Sequence, residues 1–362
     1  NTLFNMSDIH KIALITGTSS NLGFNIAYRL LDQLPTENRV TIIVTSRTLP
    51  KAKESIAQIK KYNETQSKRK GIVDFDYCLI DFTNMISVYN AYYDLNKQYK
   101  KIDYLFLNSA QGAFDGLDWV EAIKQTLTDP IASVTFPSYK LQKIGVRSQD
   151  GMGLVFQGNV FGPYYFIHKI KNLLQNAQNI NKNGDKARIV WISSLLSKPS
   201  YLSFNDLQFL KSPISYEGSK RSIDLLHLGT YKELYEKDGI IQYLVHPGIF
   251  TSFSFFKFLN VFTYYGMLIL FYLARWLGSP WHNISGYIAA NAPVYVALKA
   301  DPSSGDSQFP QSIKYGSACN YRGEESIKTT EVAPVGKDDV VKNLNSLVKL
   351  WDIHLNDQIK NT

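Results

Sequence analysis

Tyr216 and Lys220, in the stretch SYEGSKR, stand four positions apart, so a helix would carry both on one face. A phenol ionises at a pH of about 10 in water, and an ammonium held close favours the phenolate. Such a pair can deliver a proton to an oxygen that gains negative charge, which is general acid chemistry. Spacing alone is weak support, because the chain holds 23 tyrosines and Tyr93/Lys97, Tyr139/Lys143, Tyr165/Lys169 and Tyr295/Lys299 repeat it. The copy that can act must be picked out by the elements around it.

Those elements follow a rhythm. Short apolar, β-branched runs, IALIT (12–16), VTIIVTS (40–46), FDYCLI (75–80) and DYLFLN (103–108), alternate with amphipathic stretches near 22–34, 51–62 and 84–99. ARIVWIS (187–193) and IIQYLVH (240–246) continue it. Strands alternating with helices predict an α/β chain with a Rossmann-type, doubly wound parallel sheet. Directly after the first strand, TGTSSNLGFN places Gly17, Ser20, Asn21, Leu22 and Gly23 on the turn into the first helix. Glycines there let the backbone approach a pyrophosphate, which then rests over free N–H groups at the helix start. The second strand ends in Ser46 and Arg47 with no carboxylate, where an acid would hold a ribose 2′-hydroxyl. A guanidinium at that point pairs with a 2′-phosphate instead, so the expected cofactor is NADPH. Of the five tyrosine–lysine copies, only Tyr216/Lys220 follows the fifth strand and opens a helical stretch before the sixth.

These motifs resemble the short-chain dehydrogenase/reductase family. Its T-G-x-x-x-G-x-G turn is matched except that Asn21 stands at the middle glycine, and asparagine is expected to keep the turn by tolerating positive φ. Asp81 and Phe82 resemble the adenine-contacting position after the third strand, and Asn108 and Ala110, in NSAQG, the segment after the fourth. Asn159 (QGNVFG), Ser194 (WISS), and Pro247, Gly248 and Thr251 (HPGIFTS) match further landmarks. The resemblance implies that Tyr216 protonates a ketone oxygen and that Lys220 tunes it and holds the nicotinamide ribose. It also implies that Ser194 hydrogen-bonds the substrate oxygen and that Asn159 anchors a water leading to Lys220. No metal is implied.

The totals narrow the class. A chain of 362 residues with 44% hydrophobic content can bury a large core. The net charge of +8 is not gathered into a nucleic-acid footprint, since its densest stretch, KKYNETQSKRK (60–70), carries a glutamate and reads as a solvated helix end or loop. Cys78 and Cys319 give neither a metal spacing nor a disulfide framework, so a reducing compartment is expected. Position 1 is not methionine and Met6 precedes the first strand, so residues 1–5 are expected to be an appended remnant within a short tail, 1–10. One domain is expected over 11–320, followed by an extension, 321–362.

Two enlargements, 113–150 and 195–213, sit after strands where pocket-forming loops belong. From 253 to 281 the chain is strongly apolar, with no charge over 258–274, flanked by Lys257, Arg275 and Trp276 as candidate interfacial anchors. Three readings of it remain open: a monotopic segment that lids a lipid pocket, a transmembrane helix, or burial in the core or in the contact of a homo-oligomer. With both enlargements, and with NSAQGAFDGLDW, MGLVFQGNVFGPYYFI, LLHLGTYK and FYLARWLGSPWHNISGYIAANAPVYV, the chain resembles the fungal 3-keto-steroid reductases over about 11–320. That resemblance implies NADPH-dependent reduction of the 3-oxo group of a 4-methyl sterol in ergosterol biosynthesis. It also implies a place on the cytosolic face of the endoplasmic reticulum or lipid droplet, beside the other C4-demethylation enzymes. The alternatives are reduction of a 17-keto steroid or retinoid, and a non-catalytic scaffold for a membrane sterol enzyme.

Overall fold

The computed structural model describes residues 9–252, 258–302 and 310–360, with side chains to 356. Residues 1–8 and Lys257 lie outside the described residues. The chain opens with β1 (His10–Ile15), α1 (Asn21–Gln33), β2 (Arg39–Ser46), α2 (Leu49–Thr65), β3 (Val73–Leu79), α3 (Met85–Gln98) and β4 (Tyr104–Leu107). An excursion follows: β5 (Phe114–Leu117), α4 (Trp119–Thr128), α5 (Pro130–Thr135) and β6 (Lys140–Gln142). Next come α6 (Leu154–Phe156), a π-helical turn (Gln157–Phe161), α7 (Gly162–Ile180), β7 (Arg188–Ile192), α8 (Ser215–Asp238) and β8 (Ile241–His246). The last part holds β9 (Ile249–Phe250), α9 (Val261–Trp276), β10 (His282–Ile284), α10 (Gly286–Ala289), α11 (Asn291–Leu298), β11 (Ile313–Cys319), β12 (Glu325–Glu331) and α12 (Lys337–Lys360).

Eight strands form one sheet in the order β12-β11-β8-β7-β4-β1-β2-β3, parallel throughout except for the β11/β12 pair. Alternate residues of each inner strand feed opposite cores, as a pleat requires. Ile12, Leu14, Leu105 and Leu107 face the layer of α3, α7, α8 and α12. Ala13, Ile15, Tyr104 and Phe106 face that of α1, α2 and α11. Burial on both faces explains why these strands read as continuous apolar runs. The chain runs outward from β1 through β3, then returns to lay β4 on the other side of β1. That reversal opens a crevice at the carboxyl ends of β1 and β4, the place where this architecture binds ligands.

Two features differ from the sequence reading or go beyond it. Residues past 320 are built into the sheet and its covering layer. β12 is a charged, exposed edge strand, which guards the sheet against further pairing. Val340, Leu344, Val348 and Leu355 of α12 join the core that also holds Leu225 and Leu226 of α8. The basic stretch near residue 70 is partly structural: the Arg69 guanidinium donates to the carbonyls of Leu31, Leu34, Pro35 and Asn38 at 2.6–3.1 Å. No described helix is long and apolar enough to cross a membrane. With 16 residues, α9 spans about 24 Å, against a hydrocarbon core of about 30 Å.

Candidate active site

The turn after β1 is shaped by two glycines. Gly17 has φ +63°, and a Cβ there would stand 2.8 Å from the Ser109 Cα, so the position excludes any side chain. A Cβ on Gly23 would collide with the Gly17 carbonyl oxygen, which fixes how closely α1 approaches the turn. Ser20 caps α1, its Oγ accepting from the Gly23 N–H at 3.0 Å. Asn108, at the end of β4, braces the turn from the side: its Nδ2 lies 3.0 Å from the Thr16 carbonyl and 3.1 Å from that of Gly17. The threonine after β1 and one on β2 complete the brace, with Thr16 Oγ1 accepting from the Asn108 N–H at 2.9 Å and Thr45 Oγ1 from the Gly17 N–H at 3.0 Å.

Asn21 works differently from the expectation. It begins α1 with ordinary backbone and does not adopt positive φ. Its amide instead crosses to the loop after β8, donating to the Thr251 carbonyl at 2.6 Å. A side chain that ties the turn to that loop replaces the glycine. Thr251 therefore enters the site through its backbone; neither it nor Gly23 lines the cavity that the crevice opens into, whereas Gly17, Ser20, Asn21 and Leu22 do.

This cavity has a volume of about 1330 Å³ and two chemically distinct ends. At one end lie Ser46, Arg47, Asp81, Phe82 and Ala110, together with Lys51, which the sequence reading missed although it follows Arg47 by one helical turn. The Asp81 carboxylate is oriented by Thr83, Oδ1 accepting from its N–H at 2.9 Å and its hydroxyl at 2.7 Å. Arg47, and Lys51 with the Glu54 carboxylate 3.0 Å from its Nζ, place two cations at this end that suit a phosphate on the adenosine ribose.

Tyr216, Lys220, Ser194, Pro247 and Gly248 line the same cavity. Tyr216 and Lys220 lie on the first turns of α8, with Lys220 Nζ 5.5 Å from the centroid of the Tyr216 ring. The Tyr216 hydroxyl makes no hydrogen bond to a described residue, so it is free to meet a ligand. Burial, followed by the neighbouring Glu217 carboxylate, pushes its pKa up. Lys220 was expected to draw the phenol toward neutrality; in the protein by itself, desolvation wins and the phenol stays protonated. Burial also lowers Lys220, to about 8, with Asp224 raising it and Lys314 lowering it further. Lys220 Nζ donates to the Ile192 carbonyl at 2.9 Å, which aims it at the end of β7. Ser194 Oγ accepts from the Leu196 N–H at 3.0 Å and keeps its own proton to donate.

Asn159 sits on the π-helical turn, behind the cavity wall. Its Oδ1 accepts from the Gln111 N–H at 2.5 Å, and its Nδ2 donates to the Gln111 carbonyl at 2.8 Å and Ser219 Oγ at 3.0 Å. The side chain thus clamps the segment after β4 to α8, and both amide hydrogens are committed to protein groups. Among the rival copies only Tyr139 also lines the cavity, and its hydroxyl is spent on the Ser133 carbonyl at 2.8 Å.

The excursion between β4 and α7 gives the site a residue that no sequence signal announced. Gln142 of β6 accepts from the Tyr216 N–H at 2.9 Å and the Ser215 hydroxyl at 3.0 Å, and donates to Glu217 at 2.7 Å. It caps α8 from another element and so fixes where Tyr216 begins. Phe114 of β5 packs against the Tyr216 ring with centroids 5.5 Å apart. Of the 195–213 segment, Leu195 and Leu196 line the cavity, while Leu202 and Phe209 turn into the core.

The second end of the cavity is apolar, walled by Leu117, Trp119 and Leu127 on one side and by Met267, Leu270 and Phe271 of α9 on the other. The opposite face of α9 is bare: Phe262 is 87% exposed and Ile269 68%. Arg275 corrects the expectation of an interfacial anchor. It is buried, and its guanidinium donates to the carbonyls of His282 at 2.9 Å and Asn283 at 2.6 Å. An uncompensated arginine would be costly there, and these two acceptors satisfy it.

No protein-family model matches the sequence. A 3-keto-steroid reductase of Candida albicans is 60% identical over 352 residues, 97% of each chain. One of Saccharomyces cerevisiae is 56% identical, covering 97% of this chain and 98% of its relative. One of Yarrowia lipolytica is 37% identical, covering 96% and 98%. Among solved structures, L-sorbose reductase from Gluconobacter frateurii complexed with NADPH and L-sorbose superposes with a TM-score of 0.54 at 15% identity, covering 82% of this chain and 92% of that one. At that identity the likeness is one of fold.

Proposed function

The chain belongs to the 3-keto-steroid reductase family, and from that premise we propose that it reduces the 3-oxo group of a 4-methyl sterol to the 3β-alcohol, using NADPH, during C4 demethylation in ergosterol biosynthesis. One observation carries the reading: Tyr216, Lys220 and Ser194 share a single cavity whose one end is a dinucleotide cradle and whose other end is apolar. Bound NADPH would supply the hydride to the ketone carbon.

The protein's own groups do the rest. The Ser194 hydroxyl donates a hydrogen bond to the substrate oxygen, fixing it beside the Tyr216 phenol and stabilising the charge that develops there. Tyr216, protonated in its buried setting, passes its proton to that oxygen. The Lys220 ammonium, held by the Ile192 carbonyl, stabilises the phenolate left behind. Arg47 and Lys51 would hold the 2′-phosphate, and the Gly17–Gly23 turn would receive the pyrophosphate at the start of α1. The rings of the sterol lie against α4 and α9, where hydrocarbon loses no hydrogen bonds.

The proposal extends to a bilayer surface. The inner face of α9 walls the apolar end of the cavity and its outer face presents Val261, Phe262, Tyr265, Ile269 and Trp276 to the surroundings. A helix of this kind can lie in the membrane interface, so a sterol would pass into the cavity without crossing water. The cytosolic face of the endoplasmic reticulum or of a lipid droplet, beside the other C4-demethylation enzymes, suits that arrangement.

The test is NADPH oxidation by the purified protein in detergent micelles with a 4-methyl-3-ketosterol, beside Tyr216→Phe. Loss of the proton donor should lower turnover by about 100-fold or more, with NADPH affinity kept within a few-fold. Wild-type turnover in the variant would overturn the assignment of Tyr216.

A further inference from the structure

A buried ion pair lies directly behind the catalytic groups, joining the two segments that carry them. Lys314 of β11 and Asp224 of α8 meet at 2.6 Å, with side-chain exposures of 7% and 1%. Lys314 Nζ also donates to Ser197 Oγ at 2.6 Å and to the Ser194 carbonyl at 3.1 Å, so its ammonium has three acceptors. Asp224 Oδ1 accepts from the Ser193 hydroxyl at 2.5 Å. Asp224 stands one helical turn beyond Lys220 on α8, and Ser193 follows Ile192, whose carbonyl holds Lys220 Nζ. The pair therefore pins the Ser193–Ser197 segment, with Ser194 in it, to the helix that bears Tyr216 and Lys220. Charges buried this deeply recover little stability over apolar residues of the same size, so their use has to be sought in geometry or in the field they create.

We propose that Lys314 and Asp224 are positioning residues for the reduction, holding Ser194 in register with Tyr216 and setting the charge balance around Lys220. The inference rests on the ketone-reducing reading above. The charged and titratable groups bearing on Lys220 are Tyr216 and Asp224 on its own helix and Lys314 from β11, with Glu217 and Lys140 also lining the cavity. Asp224 favours the Lys220 ammonium and Lys314 opposes it, so the two variants have opposite signs. With Lys220 at about 8, reduction declines as pH rises past that point and the ammonium is lost.

The experiment measures kcat, KM and the alkaline limb of the pH profile for Lys314→Met, Asp224→Asn and the double variant, with a 4-methyl-3-ketosterol and NADPH. Single variants should lose about tenfold or more in kcat, with NADPH affinity within twofold of wild type. The limb should move to higher pH in Lys314→Met and to lower pH in Asp224→Asn, and return toward the wild-type position in the double variant. Because the double variant removes both members of the pair together, neither is left buried without the other, and it should fold where a single variant does not, with kcat still lowered about tenfold because the tether is gone. A folded single variant with unchanged kcat and pH limb, single-variant limbs that move the same way, or a folded double variant with wild-type kcat would overturn the proposal. An inactive wild type would instead count against the ketone-reducing reading itself.

Discussion

At the scale of single residues, the proposed 2′-phosphate contact rests on Arg47. This residue follows β2 at the rim of the cavity with Lys51 four positions on, and Asp81, which lines the same cavity, turns its Oδ1 to the Thr83 hydroxyl. A charge-assisted contact contributes about 1.5–3 kcal/mol. Arg47→Asp should therefore raise the NADPH Kd by about tenfold to 100-fold while changing NADH binding less; equal losses in titrations with both would remove the 2′-phosphate assignment. Tyr216, Lys220 and Ser194 were legible in the sequence because each falls at the end or start of a strongly patterned element. Asn21 was legible as an oddity but not in its role, since its partner Thr251 lies 230 residues away. Gln142 and Lys314 carried no signal, because each acts through a contact that only folding creates.

At the scale of elements, α9 carries the substrate argument. Its inner residues wall the apolar end of the cavity and its outer residues are exposed without polar partners of their own. The double substitution Phe262→Glu with Ile269→Glu touches only the outer face, so the melting temperature should stay near the wild-type value. Flotation with phospholipid vesicles should fall several-fold, because carboxylates do not enter the acyl region. Undiminished flotation would show that this face does not meet the bilayer. The apolar run was visible in sequence, but its use was not: composition fits a membrane helix, a lid and a core element equally, whereas in the structure α9 is 16 residues long, with one face on the cavity and the other exposed. Arg275 illustrates the limit, since its flanking position suggests an anchor while its guanidinium turns inward to β10.

The whole molecule is closed by its C-terminal part. α12 contributes Val340, Leu344, Val348 and Leu355 to the core shared with α7 and α8, and Tyr165 Oη bonds Asp352 at 2.7 Å. Each buried aliphatic contributes about 1.5–3 kcal/mol, and four together rival the net stability of a domain, about 5–15 kcal/mol. Truncation after residue 336 should therefore lower the melting temperature by tens of degrees or give aggregated protein, and an unchanged melt would refute that weight. The sequence by itself determined the doubly wound sheet, the cofactor turn and the Tyr216/Lys220 pair, because hydrophobic periodicity and short motifs act over neighbouring residues. Tertiary structure alone decided that β12 and α12 complete the sheet and its cover, that Gln142 caps α8, and that Lys314 meets Asp224. The Gln142–Ser215 and Lys314–Asp224 contacts join residues 73 and 90 positions apart, and no local pattern encodes which distant groups a packed core brings together.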